Sequence, residues 1–128
     1  MGTCMLYAQA FLRPDILTDP CSRGFFNFAQ NVLPLLLSSV ESSPHPPTLI
    51  VTGATASIRG RARWGAIATG KSGQRALAQS IAREFGPRGV HVAHAIIDGG
   101  IDIPDLKHTE INNGAPDGKI SPDAVSGP

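Results

Sequence analysis

The stretch that decides the fold reads TLIVTGATASIRG (residues 48–60), then Lys71, then SGQRALAQSIAREFGPRG (residues 72–89) and VHVAHAIIDGG (residues 90–100). Leu49, Ile50 and Val51 form a short continuous apolar run, which predicts a strand buried on both faces. The small and basic residues from Gly53 to Gly65 predict a loop. A helix follows over 66–85, with Leu77, Ala78, Ile81, Ala82 and Phe85 as its apolar stripe. Gly86 and Pro87 stop it, as helix C-termini prefer. Val90, Val92, Ala95, Ile96 and Ile97 predict a second strand, again too apolar for a sheet face in water. Two parallel strands joined by a helix form a right-handed crossover. In open sheets of this kind, ligands bind beyond the carboxyl ends of the strands.

Upstream, Phe25, Phe28, Ala29, Val32, Leu33, Leu36 and Val40 recur at helical spacing. Pro34 interrupts that helix and removes one backbone donor, so a kink is expected. Ser42 to Pro47 reads as a linker, and residues 1–23 carry only weak signals. Downstream of Gly99 the chain is rich in Pro, Asp and Gly, and residues 112–128 are expected to be irregular. The expected organisation is a weakly structured segment over 1–23, an α/β unit over 24–104 and an irregular polar tail over 105–128.

A chain of 128 residues supports one domain. Charged residues make up 16% and the net charge is +1, so no long-range field draws it to nucleic acid or a membrane surface. Arg59, Arg61 and Arg63 with Trp64 form a basic cluster that reads as a solvated turn rather than a nucleic-acid site. No run approaches about 18 apolar residues, so no membrane span is expected. Cys4 and Cys21 lack paired spacing, and the first dozen residues lack the basic leader and cleavage site of a secreted protein. Free thiols in a reducing compartment follow, and the expected location is cytoplasmic. His91 and His94, three apart on a strand, face opposite ways and do not make one metal site.

The region from Gly24 to Ile103 resembles the short-chain dehydrogenase/reductase family. That family carries a serine after one strand, Tyr-x-x-x-Lys on the following helix, and Pro-Gly-x-Val-x-Thr after the next strand. Lys71 matches the lysine, while Ile67 stands at the tyrosine position and Ala54 at the serine position, with Ser57 nearby as a shifted substitute. Asp98 stands for the proline, Gly99 matches the glycine, Ile101 matches the valine, and Ile103 stands for the threonine. The wording GATAS, RALAQSIAREFGPRGVHVAHAIIDG and PDGKISPDA is most similar to a fungal branch of the family. The resemblance implies a partial doubly wound, Rossmann-like parallel sheet: a strand–helix–strand core with an additional N-terminal helix. It matches only the later part of a family member, which implies a truncated chain.

The resemblance also implies NAD or NADP as cofactor. Thr52 and Gly53 would then lie beside the nicotinamide ribose, Lys71 would hold its hydroxyls, and the backbone near Gly99 and Ile101 would touch the nicotinamide amide. Each residue has a plainer reading beside this one. Lys71 alone is a solvated helix lysine, Gly53 and Gly99 are turn glycines, and the Ser57 hydroxyl satisfies its own loop. Ile67 has no proton to exchange, so the general acid of the family is missing. No two glycines stand two apart, so the chain lacks the Gly-x-Gly-x-x-Gly phosphate loop, and cofactor binding by this chain alone is expected to be weak or absent.

Three readings result. The first is an oxidoreductase-like chain with little or no activity of its own. The second is an interaction module that pairs with itself or with a full-length relative through the helices over 25–40 and 66–85, which join subunits in the family. The third is a gene fragment without a stable product.

Overall fold

A computed structural model describes residues 19–104 and 119–127 of the chain. The chain divides into two compact units, Met1–Ile96 and Ile97–Pro128.

The first unit opens with a π-helical turn, Asp19–Gly24, inside the segment expected to be weakly structured; residues 1–18 lie outside the described residues. It runs into helix α1, Phe25–Ser38. Phe25, Ala29 and Leu33, four residues apart, share one face and are buried, with Leu36, Leu37 and Val40 packed beside them. Phe28, placed on this stripe by its spacing, is instead 54% exposed: it sits to one side of the Phe25–Ala29–Leu33 row. The helix continues through Pro34. At its end, Ser38 and Ser39 donate through their hydroxyls to the carbonyls of Leu35 and Leu36, and Leu36 O also accepts from Ser39 N at 3.2 Å.

Strand β1, Thr48–Ala54, alternates strictly. Leu49, Val51 and Gly53 are buried, whereas Thr48, Ile50 and Thr52 are exposed, Ile50 at 67%. The expectation of a strand buried on both faces is therefore corrected. Leu49 and Val51 join a single core with residues of α1 and of helix α2, Gly65–Phe85. Both helices thus cover the same side of the strand. Strand β2, His91–Ile97, needs the same correction, since Ala95 and Ile96 are exposed.

β1 and β2 are hydrogen-bonded neighbours. His91 N donates to Pro47 O at 2.9 Å where both strands begin, and Gly53 lies against His94 and Ala95 where both approach their ends. The two strands therefore run parallel, as the β1–α2–β2 order requires. The turn into β2 is made by Gly89 at φ +90, a left-handed conformation suited to glycine. A β-carbon there would also come within 2.7 Å of Val40 Cγ1. On α2, Gly70 is buried and its carbonyl accepts from Ser22 Oγ at 3.2 Å. Gly73 lies so close to Ser22 that a β-carbon would stand 2.8 Å from its hydroxyl, so small residues let the π-turn seat on the helix.

The second unit holds strands β3, Gly100–Ile101, and β4, Lys119–Ile120, paired in parallel with Gly100 opposite Lys119 and Ile101 opposite Ile120. Lys119 Nζ approaches Asp102 Oδ1 at 3.4 Å, and Asp102 N donates to Ile120 O at 2.9 Å. Helix α3, Pro122–Ser126, follows, with Ser121 Oγ accepting from Ala124 N at 3.1 Å. Residues 119–126 were expected to be irregular. Their order comes from a pairing across 19 residues and a single cap, which local periodicity does not register.

Candidate functional site

The carboxyl end of β1 gathers the chemically able side chains of the first unit. Thr52 is exposed, Gly53 is buried, and a short 3₁₀ turn, Thr55–Ser57, leads away from the strand. Helix α2 returns past this end. Its Lys71 donates from Nζ to Thr52 O at 3.0 Å and to Gln74 Oε1 at 3.1 Å. Two of the three ammonium protons are thus held by neutral acceptors, and the third is free to meet a ligand oxygen. Lys71 and Arg75 lie four apart on α2 and so share a face.

Ser57 is buried at 4% exposure and donates to Ala54 O at 2.7 Å, within its own turn. Its carbonyl in turn accepts from Ser72 Oγ at 3.5 Å. Ile67 stands one turn before Lys71, half-buried, and Ala54 is half-buried at the end of β1. Neither side chain carries a proton to exchange. Gly99 and Ile101 belong to the second unit. Gly99 adopts φ +149, and a β-carbon on it would come within 3.0 Å of Ile120 Cδ1, so its lack of a side chain serves the β3–β4 pairing.

One residue at this end escaped the sequence reading. His94, weighed only as a metal ligand, lays the Cε1–Nε2 edge of its ring on Gly53, where a side chain would otherwise sit. Its Nε2 is buried and has no hydrogen-bond partner. Burial, then the positive charges of Arg75 and Lys71, push its imidazole below the ordinary 6.5. The available signal was a polar residue in an apolar strand, opposite a glycine in the neighbouring strand. His91 is exposed, in keeping with the opposite faces expected for the two histidines. Among the described residues no group of histidine, cysteine or acidic side chains could hold a metal ion. Among them, too, no helix is long and apolar enough to cross a membrane.

No protein-family model matches the chain, and no curated protein matches it. Among solved structures, a short-chain dehydrogenase from Rhodopseudomonas palustris is 37% identical over 58% of this chain, with a TM-score of 0.38. The match covers 36% of that dehydrogenase, so this chain spans little more than a third of it.

Proposed function

We propose that the chain is an oxidoreductase-like unit of the short-chain dehydrogenase/reductase type, built to hold the nicotinamide-ribose end of NAD or NADP and with little or no carbonyl-reductase activity of its own. The observation that carries this reading is the Lys71 ammonium, 3.0 Å from Thr52 O at the carboxyl end of β1 and with one proton left to give. That is where an open parallel sheet receives its ligand. The residues suit a ribose, whose hydroxyls accept from Lys71 beside the exposed Thr52. They do not suit the pyrophosphate, because the sequence holds no glycine-rich phosphate loop. Gly99 and Ile101 enter the proposal by their motif positions alone. Hydride transfer is the chemistry a bound nicotinamide would supply. No proton-transfer step follows from Ile67 and Ala54, whose alkyl groups donate nothing. A cytoplasmic location belongs to the same reading.

The test uses nicotinamide riboside, which carries the ribose end without phosphate. Saturation-transfer NMR should show contact that Lys71→Ala weakens. NADH and NADPH should not be oxidised with simple ketones, since loss of the general acid alone removes about 10²–10⁴-fold of rate. Robust ketone-dependent oxidation abolished by Lys71→Ala would overturn the inactive part of the reading, and no riboside contact would overturn the binding part.

A specific observation also favours the interaction-module reading. A groove of about 410 Å³ runs between α1 and α2, lined by Phe26, Leu33, Leu37, Leu77, Ile81 and Phe85 among others. Phe26 is 47% exposed there. A second copy of the chain, or a full-length relative presenting the same two helices, would cover it.

A further inference from the structure

The outer edge of β1 is an unguarded template for another strand. His91 N donates to Pro47 O, so that carbonyl points at β2. Alternation along the strand then turns the backbone groups of Leu49, Val51 and Gly53 to β2, and those of Thr48, Ile50 and Thr52 away from it. Lys71 Nζ takes Thr52 O, a carbonyl this pairing leaves over, in agreement with that orientation. Sheet edges are ordinarily blunted by charge, proline or a bulge. The strand reads TLIVTGA, with neither charge nor proline, and Ile50 stands 67% exposed within it. Residues 48–52 also read nearly the same in both directions: threonine, aliphatic, Ile50, aliphatic, threonine. Laid antiparallel on its own copy about Ile50, the strand sets Ile50 against Ile50, Thr48 against Thr52 and Leu49 against Val51. The outward backbone groups of Ile50 then meet as a hydrogen-bonded pair, as do those of Thr48 and Thr52. Thr52 O has a second lone pair for this. Opposed residues share a face, so the Leu49 and Val51 side chains stay on the helix side and the two Ile50 side chains meet on the other.

We propose that a second copy of the chain adds to the β1 edge, antiparallel and centred on Ile50, joining the two β1–β2 sheets into one. The near-palindrome selects an identical strand as the occupant, and no charge along β1 opposes the contact. This edge is distinct from the groove between α1 and α2, and the pairing requires neither that groove nor nicotinamide binding.

Sedimentation and hydrogen exchange test it on the full chain. Ile50→Lys and Ile50→Glu each set like charges opposite one another at the two-fold axis, and each should weaken self-association about tenfold or more. An equimolar mixture of the two variants should recover it, because unlike charges then face each other. Ile50 is exposed within one chain, so both variants should keep the circular-dichroism spectrum of the wild type. In the wild type, the amide of Ile50 should gain protection from exchange as concentration rises through the association range. That of Val51, already turned to β2, should change little. A monomeric wild type, association unchanged in both variants, a mixture that does not recover, or Ile50 exchange independent of concentration would each overturn the proposal. So would association that Phe26→Ser abolishes and the Ile50 variants leave intact, which would place the contact in the groove instead.

Discussion

At the scale of single residues, Gly53 and His94 are packed closely together. A β-carbon on Gly53 would run into the His94 ring and come within 3.1 Å of Ala95 O. Gly53→Ala should therefore destabilise the protein by about 1–3 kcal/mol, the usual range for overpacking. A thermal melt measures this, and Gly53→Ala combined with His94→Ala should lose less than the two single changes summed. Additive losses would show that the ring is not the obstacle. His94 also predicts a pH dependence. Its folded pKa lies below 6.5 while the unfolded chain keeps the ordinary value, so between the two the unfolded state binds more protons. The stability His94 contributes is present above pH 6.5 and lost as pH falls through the folded pKa. Melting temperatures should drop below pH 6.5 in the wild type more steeply than in His94→Gln, and parallel profiles would refute the assignment.

At the scale of elements, α2 does two jobs. Its first half carries Gly70 and Gly73, which seat the π-turn, and Lys71, which reaches the end of β1. Its second half carries Ala78 and Ile81, which are buried with Leu49, Val51 and Val90. Ile81→Ala should cost about 2–5 kcal/mol, the range for deleting a large buried aliphatic group. Against a stability of about 5–15 kcal/mol for a small domain, that is a large share. A chemical-denaturation midpoint checks it, and a change under 1 kcal/mol would show that α2 does not close this core. Gly89→Ala should also destabilise, because φ +90 and the Val40 contact both require glycine.

At the scale of the whole molecule, apolar surface left in water dominates. Ile50 and Leu35 are each 67% exposed, Ile58 56% and Phe28 54%. Each large apolar side chain forgoes roughly 1.5–3 kcal/mol when it stays exposed rather than buried. In the first unit, β1 and β2 form a two-stranded sheet whose outer edges are unpaired among the described residues, and such edges invite another chain. A dimer, a larger oligomer or an aggregate is the expected state at micromolar concentration. Sedimentation velocity decides: a compact monomer with a cooperative melt would show that the chain closes its own core. Phe28→Ser with Ile50→Thr should shift the distribution towards smaller species.

The sequence alone determined the β1–α2–β2 order, the α1 helix and the place of Lys71. Those depend on local signals: the 3.6-residue spacing of Leu77, Ala78, Ile81 and Phe85, the glycine-proline stop after Phe85, and short apolar runs. Lys71 was legible through its match to the lysine of the short-chain dehydrogenase/reductase pattern, four residues after Ile67; its helical position alone reads as a solvated lysine. Burial was not legible in the same way. Leu49, Ile50 and Val51 look alike in a row, and only the placement of α1 and α2 on one side of the strand left Ile50 in water while burying its neighbours. The partners of individual polar groups were decided the same way. Ser57 turned out to serve Ala54 O, and His94 to lie on Gly53, because the 40 residues between the latter pair fold back to bring them together. Periodicity reports which face of an element is apolar. What covers that face, and which distant residue meets a given side chain, is set by packing between elements.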